Sequence, residues 1–496
     1  MADGERPLLD PDNARLIYMP AHQQLNQFRR RKLSPIDVLQ AQIEQIRCVN
    51  PLVNAVTFEH FRQARAAARR SEARYRQGTA LALDGLTVAI KDEFGRTGWK
   101  TTAGTKAIRA RTEQENHPLV SKLLAAGAVL HIQTTTPEYY LLPVTWSLRW
   151  GVTRNPWNPK FSPGGSSGGA AAALAAGMTT LAIGSDMGGS IRIPAALTGL
   201  YGFNPPALRN ASTAQEALLV HASAGPLARN FRDLVLLHNV LVGSGEDAPA
   251  IWPELTLPLR YPSIRGWKIA LSMDQGWAAV SPDVKRNTLA AAEVLREAGA
   301  TVETVHLRLG MSDANIRQAI ESALFSTAVG GELSELTAHS AKLTRYGRRF
   351  AKLASRMTPR DAHDASESAV EVHDAIARAV FARGYKALIC PTTATTAIPA
   401  DYDPTRSRLK INDKRIDPYA GWILTSIFNL CNWLPVINVP TGRADNGVPT
   451  GLQIVGGPYR DLEAAAVASA YARNGPRLFQ RAILPEFRPQ GAKAYA

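Results

Sequence analysis

Cysteine is scarce. The 496 residues hold three, Cys48, Cys390 and Cys431. They lie far apart, an odd number at no zinc spacing, which argues against a disulfide framework and against a thiolate-held metal. Long apolar runs are missing too, since no stretch reaches the roughly 18 to 20 residues of a membrane span. Met1 to Pro20 lacks the apolar core of a signal peptide, so a cytoplasmic location is expected. Neither a G-x-x-x-x-G-K-[ST] loop nor a strand followed by G-x-G-x-x-G occurs, which lowers the weight of phosphate binding. No His-x-x-x-His with a glutamate appears, so metal hydrolysis has no ligand set and neither metal nor cofactor is expected. Histidine ends at His373, the last of ten. No internal repeat, low-complexity tract or charged linker divides the chain.

What is present suits a large folded chain. Hydrophobic residues make up 45% and charged residues 20%, enough for a sizeable core and unlike a disordered chain. Lysine and arginine outnumber the acids 57 to 42, a net charge of +15. The basic residues are spread out, with runs only at Arg29-Arg30-Arg31-Lys32 and from Arg65 to Arg76. A solvated face explains them more simply than a nucleic-acid partner, and none is expected; attraction to acidic partners or substrates is the lesser reading.

Residues 1–33 read as an irregular N-terminal segment. Ser34-Pro35 predicts a capped helix start with Asp37 as a capping-box partner, followed by Ile36, Leu39, Ile43 and Ile46 at helical spacing. A second helix is expected from Glu59 to Gln77. Leu86 to Ile90 reads as a strand entered by an Asp84-Gly85 turn and ending on Lys91-Asp92. Helix and strand patterns alternate from His117 to Val305, which indicates an α/β fold with a parallel or mixed sheet covered by helices. Residues 310–382 read as largely helical, with no chemical motif.

The chain is organised around Ser162 to Pro194. Two glycine-serine loops, Pro163 to Gly169 and Gly184 to Ser190, flank an alanine-rich helix and a short apolar strand. Glycine lets backbone N–H groups crowd a small volume, which suits a developing oxyanion, and the adjacent serines are candidate nucleophiles. Gly164-Gly165-Ser166-Ser167-Gly168 fits the G-x-S-x-G elbow, but that motif needs a strand leading into it. Asn155-Pro156-Trp157-Asn158-Pro159 is poor strand material, and His373 reads as a surface residue of a polar helix. A serine-lysine system is the other reading. Ser190 follows Met187-Gly188-Gly189 and is expected to begin a helix, so nucleophile and oxyanion donors share one turn. Lys91 is either a snorkelling side chain at a sheet edge or a desolvated amine available as a base. With no histidine suitably placed it is the candidate base, and Ser166 could bridge it to Ser190.

Three blocks carry a resemblance to the amidase signature family: Asp84 to Asp92, Pro163 to Gly169, and Gly184 to Pro194. Looser matches are Gly225-Pro226-Leu227-Ala228-Arg229, Phe428-Asn429-Leu430 and Gly447 to Gly456. The resemblance implies one α/β/α domain over residues 1–496 with a large twisted mixed sheet covered by helices. It implies Ser190 as nucleophile, Ser166 as the bridging serine after a cis peptide from Gly165, and Lys91 as a base that is neutral at rest. The oxyanion would meet the N–H groups of Met187, Gly188, Gly189 and Ser190. Burial between Val88 and Ile90 would lower the lysine pKa, with Asp92 or Asp186 opposing. Asp186 and Arg192 would pair to hold the loop, and Ser167 and Ser185 would support it. Tyr139, Tyr140, Trp146, Trp150 and Trp433 are candidate walls of a substrate pocket, and 310–382 a region that shapes it. The chain departs from the family's usual wording at Ile132-Gln133-Thr134-Thr135 and at Gly202-Phe203-Asn204-Pro205-Pro206, so substrate preference does not transfer. The expected function is a stand-alone amidohydrolase acting on a small amide, with a homodimer allowed. The alternatives are the glutaminase component of a tRNA-dependent amidotransferase and a non-catalytic binding protein on the same scaffold.

Overall fold

Short, wholly buried runs of aliphatic residues build the sheet. Thr87–Lys91 and Val129–Thr134 are buried at every position, as expected for strands covered by helices on both faces. A computed structural model describes residues 11–243, 254–311, 313–328, 338–479 and 483–487. Eleven strands form one sheet: β1 (Val56–Glu59), β2 (Thr87–Lys91), β3 (Val129–Thr134), β4 (Leu181–Asp186), β5 (Tyr201–Asn204), β6 (Ser223–Ala228), β7 (Lys268–Leu271), β8 (Thr301–Thr304), β9 (Ala387–Pro391), β10 (Val436–Arg443) and β11 (Pro449–Gly456). Their spatial order is β1-β3-β2-β4-β6-β5-β10-β11-β9-β7-β8. The pairs β2–β3, β2–β4, β7–β8 and β7–β9 are parallel; the rest are antiparallel. The sheet is therefore mixed and the chain a single α/β domain, as expected.

Two parallel neighbours position the site. In β2 and β4, Val88 lies opposite Leu181 and Ile90 opposite Ile183. Both strands run the same way and end together, so Lys91 closes one beside Ser185 and Asp186 closing the other. Helix Gly168–Ala175 is buried along its whole length. Its alanines pack in one cluster with Ala89 and Ala182, small side chain against small side chain. That close approach sets the serines at its N-terminal end over the strand ends.

The N-terminal segment departs from expectation. Residues 11–29 are helical, as Pro11–Ile17 and Ala21–Arg29, rather than irregular. Leu25 and Phe28 bury one face of the second helix. Its N-terminus is capped from afar: Asp233 accepts from Ala21 N at 2.7 Å and His22 N at 3.0 Å, and contacts His22 Nδ1 at 2.7 Å. A cap 212 residues distant leaves no local signature. Residues 1–10 lie outside the described residues. Val56–Glu59 pairs with β3, so the second expected helix starts at Phe61 instead of Glu59. Ser34 accepts from Ile36 N at 3.1 Å and donates to Glu72 at 2.8 Å, so no capping box with Asp37 forms. Within 310–382 the helices are Asp313–Ala328, Arg345–Ala354 and Pro359–Ala379; residues 312 and 329–337 lie outside the described residues.

Asp233→Ala strips the cap from the Ala21–Arg29 helix. It should destabilise the protein by about 1.5–3 kcal/mol, the range for hydrogen bonds to a charged group, with the strand ends at the site unaffected. A thermal melt superimposing on the wild type would show that the cap contributes nothing.

Candidate active site

Lys91 is fully buried. Its Nζ lies 2.8 Å from Ser166 Oγ, 2.7 Å from Ser185 Oγ and 2.8 Å from Glu93 Oε2. Those three acceptors match the three N–H groups of an ammonium. The ring of Tyr140 lies 4.8 Å from the same nitrogen. Burial lowers the pKa of Lys91, opposed chiefly by the charge and hydrogen bond of Glu93 and then by Asp186. The expectation that Asp92 opposes is corrected. Asp92 faces away, accepting from Thr102 N at 3.0 Å and from the Thr102 hydroxyl, and burial pushes its pKa up to about 7. Glu93 is absent from the sequence reading: the strand ends at Lys91, and a tight turn in which Glu93 N donates to Lys91 O at 2.7 Å brings its carboxylate back to the amine.

The Gly165–Ser166 peptide bond is cis. A Cβ on Gly165 would come within 2.7 Å of Leu142 O and of the Val144 backbone, so only glycine fits there. Ser166 and Ser190 line one cavity. Among the described residues, Ser166 Oγ is bonded to Lys91 and no hydrogen bond joins it to Ser190. The first leg of the expected relay is therefore present and the second is open.

The turn from Met187 to Ser190 is held from beneath. Asp186 and Arg192 are both fully buried and paired twice, Arg192 Nε to Oδ2 at 2.9 Å and Nη2 to Oδ1 at 2.8 Å. Asp186 also accepts from Gly189 N at 2.8 Å and Ile191 N at 3.1 Å. Burial alone would raise the Asp186 pKa, but Arg192, Asn429 and these N–H groups outweigh it and hold the carboxyl below its ordinary value. Arg192 Nη1 donates to Thr425 O at 3.1 Å and Gln453 Oε1 at 2.7 Å, and Nη2 donates to Asn429 Oδ1 at 2.6 Å. All five guanidinium donors are engaged. Gly188 O accepts from Thr425 Oγ1 at 2.6 Å and Ser426 Oγ at 2.9 Å. The expected structural pair is thus present, and Asn429 explains the Phe428-Asn429-Leu430 match. Ser167 donates its N–H to Ser190 O at 3.2 Å and its hydroxyl to Ser185 O at 3.3 Å.

Two details of the expected oxyanion hole change. The N–H of Gly189 is committed to Asp186, and Gly189 does not line the cavity, whereas Met187, Gly188 and Ser190 do. Gly189 has φ +119° and a Cβ there would meet Thr425 Oγ1 at 2.0 Å, so its glycine serves backbone path and packing. The following helix starts at Arg192, not at Ser190, which sits in the turn before it.

The cavity is about 300 Å³. Phe94, Tyr139, Tyr140, Leu142, Ile193, Tyr419 and Ile423 give it apolar walls. Glu93 and Glu216 are its carboxylates, and among the described residues no lysine, arginine or histidine lines it. Three expected wall residues are elsewhere. Trp146 donates to Tyr402 O at 2.8 Å and meets the Tyr346 ring edge-on at 4.9 Å. Trp433 donates to His373 Nδ1 at 3.0 Å, so that half-buried histidine is a packing partner rather than a surface residue. Trp150 donates to Thr102 Oγ1 at 3.0 Å, behind the site. Tyr139 and Tyr140 are braced from the 310–382 region: Tyr346 OH accepts from Glu138 N at 2.9 Å, and Glu138 accepts from Thr344 N at 2.8 Å and Thr344 Oγ1 at 2.6 Å.

Fold and side chains together define an α/β enzyme with serine hydroxyls and a buried lysine gathered at the ends of parallel strands. A family model described as Amidase matches residues 37–464. The chain belongs to the amidase signature family, whose members are amide-hydrolysing enzymes. It is similar to one component of the glutamyl-tRNA(Gln) amidotransferase of Chloroflexus aggregans, 31% identical over 89% of this chain and 93% of that protein. A bacterial aryl acylamidase of the amidase signature family superimposes with TM-score 0.85 at 28% identity, covering 93% of this chain and 97% of the other. Peptide amidase from Stenotrophomonas maltophilia shares the fold, with TM-score 0.77 at 24% identity over 95% and 98% of the two chains. Among the described residues no helix is long and apolar enough to cross a membrane.

Arg192→Leu would leave Asp186 charged, buried and unpaired. It should cost about 3–5 kcal/mol of stability in urea unfolding. Adding Asp186→Asn should recover part of that loss; a double variant no more stable than the single one would mean the two side chains are not coupled.

Proposed function

We propose that this chain is a stand-alone amidohydrolase that cleaves a carboxamide or anilide bond through an acyl-enzyme on Ser190. The observation that carries this reading is the 2.8 Å contact between Lys91 Nζ and Ser166 Oγ, with Ser190 on the same cavity wall. Ser190 Oγ attacks the carbonyl carbon while its proton passes to Ser166, and the Ser166 proton passes to neutral Lys91. The N–H groups of Met187, Gly188 and Ser190 are the candidates to receive the carbonyl oxygen as it gains charge. Lys91 then returns the proton through Ser166 to the leaving amine, the C–N bond breaks, and water hydrolyses the acyl-serine by the same route. The Asp186–Arg192 pair and Ser167 act by holding the turn rather than by touching substrate.

The cavity lining favours a substrate with an apolar or aromatic body and no anionic group. Tyr139, Tyr140, Phe94 and Tyr419 offer ring surface, and the segment around Tyr346 and Thr344 shapes that wall from behind. The likeness to an aryl acylamidase supports this preference. The likeness to the amidotransferase component favours a second reading, glutamine hydrolysis within a larger assembly. The lining speaks against it: among the described residues no cation lines the cavity to meet the α-carboxylate of glutamine. Lys91, Ser166 and Ser190, intact at one site, argue against a non-catalytic binding protein.

Purified protein assayed against acyl anilides, aliphatic amides and glutamine should hydrolyse a member of the first two groups. Ser190→Ala should lower kcat by roughly a thousandfold or more. Hydrolysis of glutamine alone would establish the second reading, and near-wild-type turnover by Ser190→Ala would end the assignment of the nucleophile.

A further inference from the structure

Among the described residues the carboxylate of Glu93 is the one charged group in hydrogen-bond contact with Lys91, and the proposed catalytic cycle gives it no task. Its Oε2 is 2.8 Å from Lys91 Nζ and accepts from Ser185 Oγ at 2.6 Å. The Ser185 hydroxyl in turn accepts from Lys91 at 2.7 Å, so Lys91, Ser185 and Glu93 close a three-membered ring of hydrogen bonds. In that ring the lysine is matched as an ammonium and the glutamate as a carboxylate. A base must be neutral. The proton that Lys91 sheds needs an acceptor, and the fully buried amine has no water path of its own. Glu93 has one: its side chain is 21% exposed and lines the substrate cavity.

We propose that Glu93 is the positioning residue that sets the charge of Lys91, its counter-ion in the empty cavity and the acceptor of its surplus proton once substrate fills that cavity. The inference rests on the reading of Lys91 as the base. The step conserves charge: the N–H bond on Lys91 breaks, an O–H bond forms on Glu93 Oε2, and an ammonium-carboxylate pair becomes an amine and a carboxylic acid. Substrate drives it by covering the exposed edge of Glu93. Removing water from both charges penalises the ionic pair and leaves the neutral one favoured. Product release rehydrates Glu93 and resets the pair.

The other groups around Lys91 do not offer this route. Asp186 is held by Arg192 and by backbone N–H groups. Asp92 is turned to Thr102. Glu216, on the same cavity wall, is paired with His117 at 2.8 Å. Tyr140 presents its ring to the ammonium, and its hydroxyl donates to Asp92 O at 3.3 Å.

The test is the pH profile of kcat/KM for Glu93→Gln. Glutamine keeps the shape and loses the charge that raises the Lys91 pKa, so the lysine deprotonates more readily. The acid limb should move to lower pH by about one to three units, the effect of removing an adjacent opposite charge. Glu93→Asp, which retains a carboxylate, should leave the limb closer to wild type and serves if the glutamine variant does not fold. Profiles of both variants that overlay the wild type would overturn the inference. Ser190→Ala and Lys91→Ala measured alongside separate the cases. If they lose activity while Glu93→Gln leaves the limb unmoved, only the role of Glu93 fails; if they retain it, the catalytic reading fails first.

Discussion

The buried pair of Asp186 and Arg192 is the constraint on which the site depends. Such a pair adds little net stability over well-packed apolar side chains, because desolvating both charges offsets most of their attraction. Its effect is on shape. Arg192 reaches Thr425 and Asn429 beside helix Ser426–Leu430 and Gln453 in β11, while Asp186 gathers the N–H groups of Gly189 and Ile191. The peptide between Gly188 and Gly189 is fixed at both ends, its carbonyl by Thr425 and Ser426 and its N–H by Asp186. A turn that would otherwise exploit glycine's freedom has one conformation left. Ser190 therefore meets its neighbours through a network drawn from segments more than 200 residues away.

Opposing forces meet at Lys91. Burial disfavours its charge, and the carboxylate of Glu93 opposes burial without outweighing it. If burial acted alone, the lysine would be neutral but would lack a partner for each change of state. If the carboxylate dominated at every stage, the lysine would stay protonated and Ser166 could pass it nothing. Because Glu93 touches the cavity and Lys91 does not, occupancy of the cavity acts on one side of this balance. With Lys91 as the proposed base, the coupling between filling the site and preparing that base lies in this difference of exposure.

Much of this was legible in the sequence, and what was not has identifiable causes. Lys91, Ser166, Ser190, Asp186 and Arg192 lie in the glycine-serine blocks and at a strand end, where local pattern reports backbone path directly. The sheet followed from apolar runs alternating with helical spacing. The helices at 11–29 were missed because the cap on the second comes from Asp233. Gly189 was given an oxyanion role because a run of N–H groups looks alike in sequence; only the structure shows that one of them points to Asp186. Trp146 and Trp433 were grouped with Tyr139 and Tyr140 as aromatics, yet which aromatics face a cavity is a tertiary fact. Glu93 carries no strand-period signal, because the strand ends at Lys91 and the turn after it brings the carboxylate back to the amine.

The division between the turn around Ser190 and the cavity walls leaves room for one fold to serve different substrates. The turn around Ser190 is held by Asp186, Arg192, Asn429 and Gln453, none of which lines the cavity. The walls come from 139–143, 208–224 and 419–426, and the first of these is braced by Thr344 and Tyr346. Wall residues can change without loosening the turn, so chemistry persists while specificity moves. The wall charges then carry the information. The lining holds two carboxylates, each with a partner behind the wall in Lys91 or His117, and no described cation faces the cavity to attract an anionic ligand. The net charge of +15 belongs to the chain as a whole, and salt screens charges more than about 8 Å apart. The chain as a whole is basic while the described cavity lining holds no cation, and at contact distance the lining decides.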